Sequence, residues 1–156
     1  MAREMRRHER VLDESRTLEL LQNGEYGVLS TSSVDGGAYG IPMSYVATDG
    51  FIYFHCAMVG HKIENITANP LVSFCVVGNT EVSPSAFTTA YESLIVSGLI
   101  ETVETEEEKK EALRLLVKKY SQGFETEGDV YIDKAIHKTK ILKLTIDRIS
   151  GKGRQL

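Results

Sequence analysis

The segment Phe54-His55-Cys56-Ala57-Met58-Val59-Gly60-His61-Lys62 gathers the chemically most versatile residue types of this chain. An aromatic, strand-like run ends at Cys56, a short loop follows, and a helical pattern opens at Gly60-His61-Lys62. The first turn of a helix carries unpaired backbone N–H groups and the positive end of a dipole, which together make an anion site. A glycine there lets an oxygen approach the backbone, and His61 and Lys62 add side-chain donors. A His-Lys pair at a helix start is more often a solvated surface pair, so the motif needs support from its neighbours.

Pro42-Met43-Ser44-Tyr45 offers some. Proline cannot donate to a ladder and sits at edges or bulges, where free backbone groups can meet a flat polar ring; an ordinary edge strand is the competing reading. His55 beside Cys56 suggests a metal ligand or a nucleophile, but adjacent strand residues point to opposite faces. No Cys-x-x-Cys, His-Glu-x-x-His or close acidic cluster completes a metal site, and nothing marks the third group or oxyanion hole of a Cys-His hydrolase. The stretch Gly78 to Glu92 reads as a long polar loop in which Phe87-Thr88-Thr89-Ala90-Tyr91 mixes stacking groups with hydroxyls. Loops of that length are usually functional. His8 falls in the basic N-terminal segment, and His137 among Lys134, Lys138 and Lys140 reads as a solvated face.

The elements that must position these residues follow from periodicity. A helix is expected over Asp13 to Asn23, capped by Asp13 or Ser15 and stopped at Asn23-Gly24. Strands are expected at Tyr26–Thr31, Tyr39–Val46 and Phe51–Cys56, joined by turns at Val34-Asp35-Gly36-Gly37 and Thr48-Asp49-Gly50. A short helix from Gly60 to Asn69 is closed by Pro70. Leu71 to Val77 is nearly all apolar, as in a strand buried on both sides. Ser93–Val103 and Ile141–Ile149 are further strands, and between them Thr105-Glu106-Glu107-Glu108 forms a capping box ahead of Leu113, Leu116, Val117 and Tyr120. Six strands in consecutive hairpins, with few helices to cover them, favour an antiparallel sheet closed into a barrel.

The chain of 156 residues is read as one domain, with residues 1–12 as a basic arm carrying Arg3, Arg6, Arg7 and Arg10. That arm is either disordered or laid across a partner subunit. Apolar residues make up 42% and charged residues 26%, an ordinary globular balance. A net charge of −4 gives no reason to expect nucleic acid as a partner. Any anion must therefore be held by local geometry. No apolar stretch approaches a membrane span and no apolar run follows the arginines as in a signal peptide. Cys56 and Cys75 lie in apolar runs without metal spacing, which suits reduced thiols in a cytoplasmic protein.

Taken in order, these segments resemble the nitroimidazole-resistance (Nim) family, within the pyridoxamine 5'-phosphate oxidase-like FMN-binding split barrels. Arg3-Glu4-Met5-Arg6-Arg7 and Gly24-Glu25-Tyr26-Gly27-Val28-Leu29-Ser30-Thr31 resemble the family's opening. Tyr53-Phe54-His55-Cys56-Ala57 with Gly60-His61-Lys62-Ile63-Glu64-Asn65-Ile66 resembles its central motif, and Phe87-Thr88-Thr89 with Tyr91-Glu92-Ser93 its second. The resemblance implies a six-stranded antiparallel split β-barrel with short flanking helices, assembled as a homodimer with FMN sites at the interface. It implies that Gly60, His61 and Lys62 hold the phosphate, and that Pro42, Met43, Ser44, Tyr45, His55, Cys56 and Ala57 line the flavin. Tyr91 and Ser93 would close the site, some of these residues coming from the other subunit, and His61 is the candidate reactive residue. The implied activity is transfer of electrons from reduced flavin, with a nicotinamide donor possible, to a small acceptor such as a nitroimidazole or other nitroaromatic. A non-enzymatic FMN store or redox partner, and a split barrel loaded with a deazaflavin or haem, are the alternatives. The oxidases that act on vitamin B6 carry a C-terminal Trp and Arg set; this sequence has no Trp and closes on Ser150-Gly151-Lys152-Gly153-Arg154, which speaks against that substrate.

Overall fold

A computed structural model describes residues 5–155 of the chain. Arg3 and Glu4 of the basic arm lie outside the described residues. Seven strands form one antiparallel sheet in the order β2-β1-β5-β6-β7-β4-β3. They are β1 Gly27–Ser32, β2 Ala38–Met43, β3 Val46–Thr48, β4 Phe51–Cys56, β5 Leu71–Ser83, β6 Thr88–Thr102 and β7 Lys140–Arg154. Four helices flank them: α1 Glu14–Asn23, α2 His61–Ala68, α3 Glu106–Tyr120 and α4 Glu125–Ala135.

The two outermost strands, β2 and β3, are consecutive in the chain, with Ser44 and Tyr45 between them. Three Cα steps reach at most about 10 Å, so the two margins of the sheet must come together. The sheet closes into a split β-barrel, and the split runs beside β2. The strand expected over Tyr39–Val46 is therefore two strands, which raises the count from six to seven.

The caps explain where the helices begin. The Asp13 carboxylate accepts from the Arg16 N–H at 2.7 Å, and the Thr105 hydroxyl from the Glu108 N–H at 3.4 Å. Inside the barrel Leu29, Ile52, Phe54, Phe74, Val76, Val96, Leu142 and Leu144 are shut off from solvent. The Phe74 ring meets Tyr45 and Phe54 edge-on at 4.9 and 5.0 Å. A second core, Val46, Tyr53, Val103, Ala112, Leu116 and Ile141, fastens α3 to the outside of β3 and β4. Gly98 sits where the β6–β7 register shifts; a Cβ there would lie 1.9 Å from the Thr145 carbonyl oxygen, so only glycine lets the strands approach.

The stretch Gly78 to Glu92 is not a loop. After a bulge between Val77 and Thr80, β5 and β6 continue as a two-stranded ribbon, pairing Thr80 with Tyr91 and Ser83 with Thr88. Phe87 stands at its tip with φ +49° and is 96% exposed. The described end of the basic arm lies against β7: Val11 bridges Lys152, and the Leu12 N–H donates to the Gly151 carbonyl at 3.1 Å.

Candidate functional site

Strand alternation sorts the candidate residues by face. On β2, Tyr39, Ile41 and Met43 turn inward, while Ala38, Gly40 and Pro42 face outward. Ser44 is exposed, but Tyr45 is fully buried and its hydroxyl donates to the Leu21 carbonyl at 2.6 Å. Met43 and Tyr45 therefore belong to the core, and their side chains are not available to a ring. On β4 the pair His55 and Cys56 separates in the same way. His55 is exposed, and Cys56 packs half-buried against the main core. Burial pushes the Cys56 thiol up, against the pull of the nearby Lys62 and Lys140 charges. It is a neutral thiol rather than a poised nucleophile.

Ala57 and Gly60 are exposed in the connection to α2. Gly60 is the N-terminal residue before the helix, with φ +139°, a conformation that favours glycine, and nothing lies within 4 Å of a Cβ built on it. No side chain caps α2. Its Ile63 and Glu64 N–H groups turn back to the Gly60 carbonyl, at 2.9 and 3.1 Å, which leaves the first N–H groups, of His61 and Lys62, directed out of the helix. An uncapped start, an open glycine and a half-buried lysine form a cradle that suits a phosphate monoester. The His61 ring lies 4.3 Å from the Tyr39 ring, so α2 begins beside the outer end of β2, across the split. The helix is held by Asn65, which donates to the Thr31 hydroxyl at 3.0 Å, and by Asn69, which donates to the Ser32 hydroxyl at 2.8 Å. Lys140, which pairs with Cys56 across the ladder, is a second cation near Lys62 that sequence reading left on a solvated face.

Tyr91 and Ser93 lie elsewhere. Ser93 pairs with Val77 and with Lys152 and shares a cleft of about 370 Å³ with Ser97, Arg148 and Ser150. Three strand spacings, about 14 Å, separate β6 from β2. Within one chain the candidate residues thus form two groups, one at the β2–α2 margin and one at the β6–β7 margin.

Between these margins runs a face of small and apolar residues. Register places Gly40, Ser30, Ser73, Ser97 and Arg148 in one cross-strand row, and Pro42, Val28, Cys75, Ile95 and Ser150 in the next. Leu71, Val77, Ile95 and Leu99 are 64%, 59%, 51% and 54% exposed. The apolar run expected to be buried on both sides is buried on only one within the chain. Sequence reading left the role of Lys152 open and missed Arg148, because only the β6–β7 register sets the two beside Ser93 and Ser97. Among the described residues no group of three or more His, Cys, Asp or Glu is arranged to hold a metal, and no helix is long and apolar enough to cross a membrane.

This architecture agrees with what the chain matches. The family model described as pyridoxamine 5'-phosphate oxidase covers residues 13–153, and the chain belongs to that family. No curated protein matches it by sequence. Among solved structures it is similar to a proposed 5-nitroimidazole antibiotic resistance protein of Bacteroides thetaiotaomicron, with a TM-score of 0.80 and 23% identity over 92% of this chain and 86% of that one. An FAD-binding protein of Mesorhizobium loti gives 0.69 and 22% over 94% and 98%. The haem storage protein of Vibrio cholerae gives 0.67 and 15% over 87% and 92%. At these identities the likeness establishes the shared fold.

Proposed function

We propose that this protein is an FMN-binding oxidoreductase that works as a homodimer and passes electrons from reduced flavin to a small acceptor such as a nitroimidazole or another nitroaromatic. The observation that carries the reading is the uncapped α2 start, with Gly60, His61 and Lys62 placed against the outer end of β2. The N–H groups of His61 and Lys62 and the Lys62 ammonium would hold the phosphate. Pro42 and Ser44, both exposed on the outward side of β2 and its corner, would line the ring. Bound there, FMN would supply two-electron redox chemistry between a nicotinamide donor and the acceptor. The chain's own part is to hold the phosphate, flank the ring and keep water from one side of it.

The second subunit supplies the other wall. The exposed apolar residues of this face, Leu71, Val77, Ile95 and Leu99, support association through it. Two copies laid face to face about a two-fold axis along β5 bring the β7 margin of one over the β2 margin of the other. Ser93, Arg148 and Lys152 of one subunit then close the flavin site of its partner, which unites the two groups of residues that a single chain keeps apart.

An absorbance spectrum of the purified protein, before and after chemical reduction, tests the cofactor. Flavin bands that bleach on reduction are expected, and a haem Soret band would assign the other cofactor. A protein that stays colourless after incubation with FMN overturns the reading. Steady turnover with a nicotinamide donor separates an enzyme from a flavin store. His61→Ala is expected to lower turnover about threefold to tenfold, the worth of one hydrogen bond, with a smaller change in FMN affinity. Equal losses in both, measured by steady-state kinetics and flavin fluorescence, assign His61 to phosphate holding alone.

A further inference from the structure

We infer that Tyr120, the last residue of α3, is a positioning residue for the cofactor: its hydroxyl fixes the barrel corner that presents Pro42 and Ser44. The inference rests on the placement of the flavin ring along β2 given above.

At this corner the chain leaves one partner strand and joins another. The β1–β2 ladder ends at Gly27 opposite Met43, and the β3–β4 ladder begins at Val46 opposite Tyr53. Tyr45 falls between the two ladders, in a buried position where unpaired backbone groups are costly. The Tyr120 hydroxyl takes the place of the missing strand. The Tyr45 N–H donates to it at 2.9 Å, and the Tyr45 and Glu25 carbonyl oxygens lie 2.9 and 2.6 Å away, sharing its single proton.

The neighbouring residue reinforces the grip. Lys119 donates to the Gly24 carbonyl at 2.7 Å, and its ammonium lies 3.8 Å from the centre of the Tyr45 ring. Burial pushes the Lys119 ammonium down to about 8. The last turn of α3 therefore ties the α1–β1 turn to the β2–β3 corner. Strand alternation does the rest: with the Tyr45 side chain locked inward on Leu21, Ser44 and Pro42 must face outward.

The hydroxyl can be removed without undocking the helix. Ala112 and Leu116 anchor α3 in the second core, independently of Tyr120. Tyr120→Phe keeps the ring and loses only the bridge.

The test is hydrogen exchange at the Tyr45 amide of the full chain, together with titration of FMN and riboflavin into wild type and Tyr120→Phe. Exchange at Tyr45 is expected to accelerate about threefold to tenfold, the worth of one hydrogen bond. FMN and riboflavin are expected to weaken by a common factor of about threefold to tenfold, because both use the ring wall. A lowered melting temperature with both flavin affinities unchanged makes Tyr120 a structural residue and overturns its positioning role. Unchanged exchange at Tyr45 overturns the bridge itself. A wild-type protein that takes up neither flavin overturns the cofactor reading, and the positioning role with it, whatever Tyr45 does.

Discussion

Replacing Lys62 by alanine is expected to weaken FMN binding about tenfold to a hundredfold while leaving riboflavin binding within about twofold of wild type. The magnitude follows from what FMN brings. Its phosphate monoester is close to dianionic at neutral pH, and the chain's own net charge is −4, so long-range attraction contributes nothing. In the proposed site capture depends on the α2 start, where the first two N–H groups leave the helix and Lys62 stands in the first turn. Losing the ammonium removes a charge-assisted contact worth about 1.5–3 kcal/mol and leaves the backbone donors in place. Riboflavin has no phosphate and does not engage the cradle. Titration of both ligands by flavin fluorescence decides the matter. If both weaken by the same factor, Lys62 supports the fold or the ring, and the phosphate lies elsewhere. The pairing also separates the two ends of the site: Lys62→Ala acts on FMN alone, whereas Tyr120→Phe acts on both flavins.

How much of this was legible in the sequence depended on whether a feature is local. The α1 and α3 starts were readable because a capping side chain and its target N–H lie three residues apart. The start of α2 at Gly60-His61-Lys62 was readable for the same reason, since these residues are consecutive. The ribbon beyond Val77 was not. Its residues are polar because both faces of a projecting hairpin meet water, and its backbone pairing leaves no apolar period. Helix α4 escaped notice because its reasons are tertiary. Gly128 packs where a Cβ would lie 2.6 Å from a Val117 methyl, and Arg114–Asp129 and Lys110–Asp133 pairs tie it to α3. The break at Ser44-Tyr45 was equally hidden, since it depends on a tyrosine 75 residues away. Leu71 to Val77 was read as buried on both sides, and that reading carries information still. Its outward residues, apolar or small, stand on an open face, and only the inward side of the run is buried.

The proposed two-subunit site can be tested by subunit exchange. Lys62→Ala and Lys152→Ala are each expected to bind FMN about tenfold more weakly than wild type, Lys62 through the phosphate at the α2 start and Lys152 through the wall that the other subunit's β7 supplies in the proposed dimer. A Lys62→Ala subunit still carries an intact β7 margin, and a Lys152→Ala subunit an intact α2 start. When the two exchange subunits, every mixed dimer contains one site with both lysines missing and one with both present. Random exchange makes about half the dimers mixed, so about a quarter of all sites regain full affinity. At an FMN concentration near the wild-type dissociation constant, the amount of FMN bound by the exchanged mixture, read by flavin fluorescence, should exceed that bound by either variant alone. A site built within one chain allows no such recovery, because each subunit would keep its own defect. Absence of recovery, with exchange verified by mass spectrometry of the intact dimers, places both lysines in one chain's site. Wild-type affinity for Lys152→Ala on its own removes the β7 margin from the site altogether.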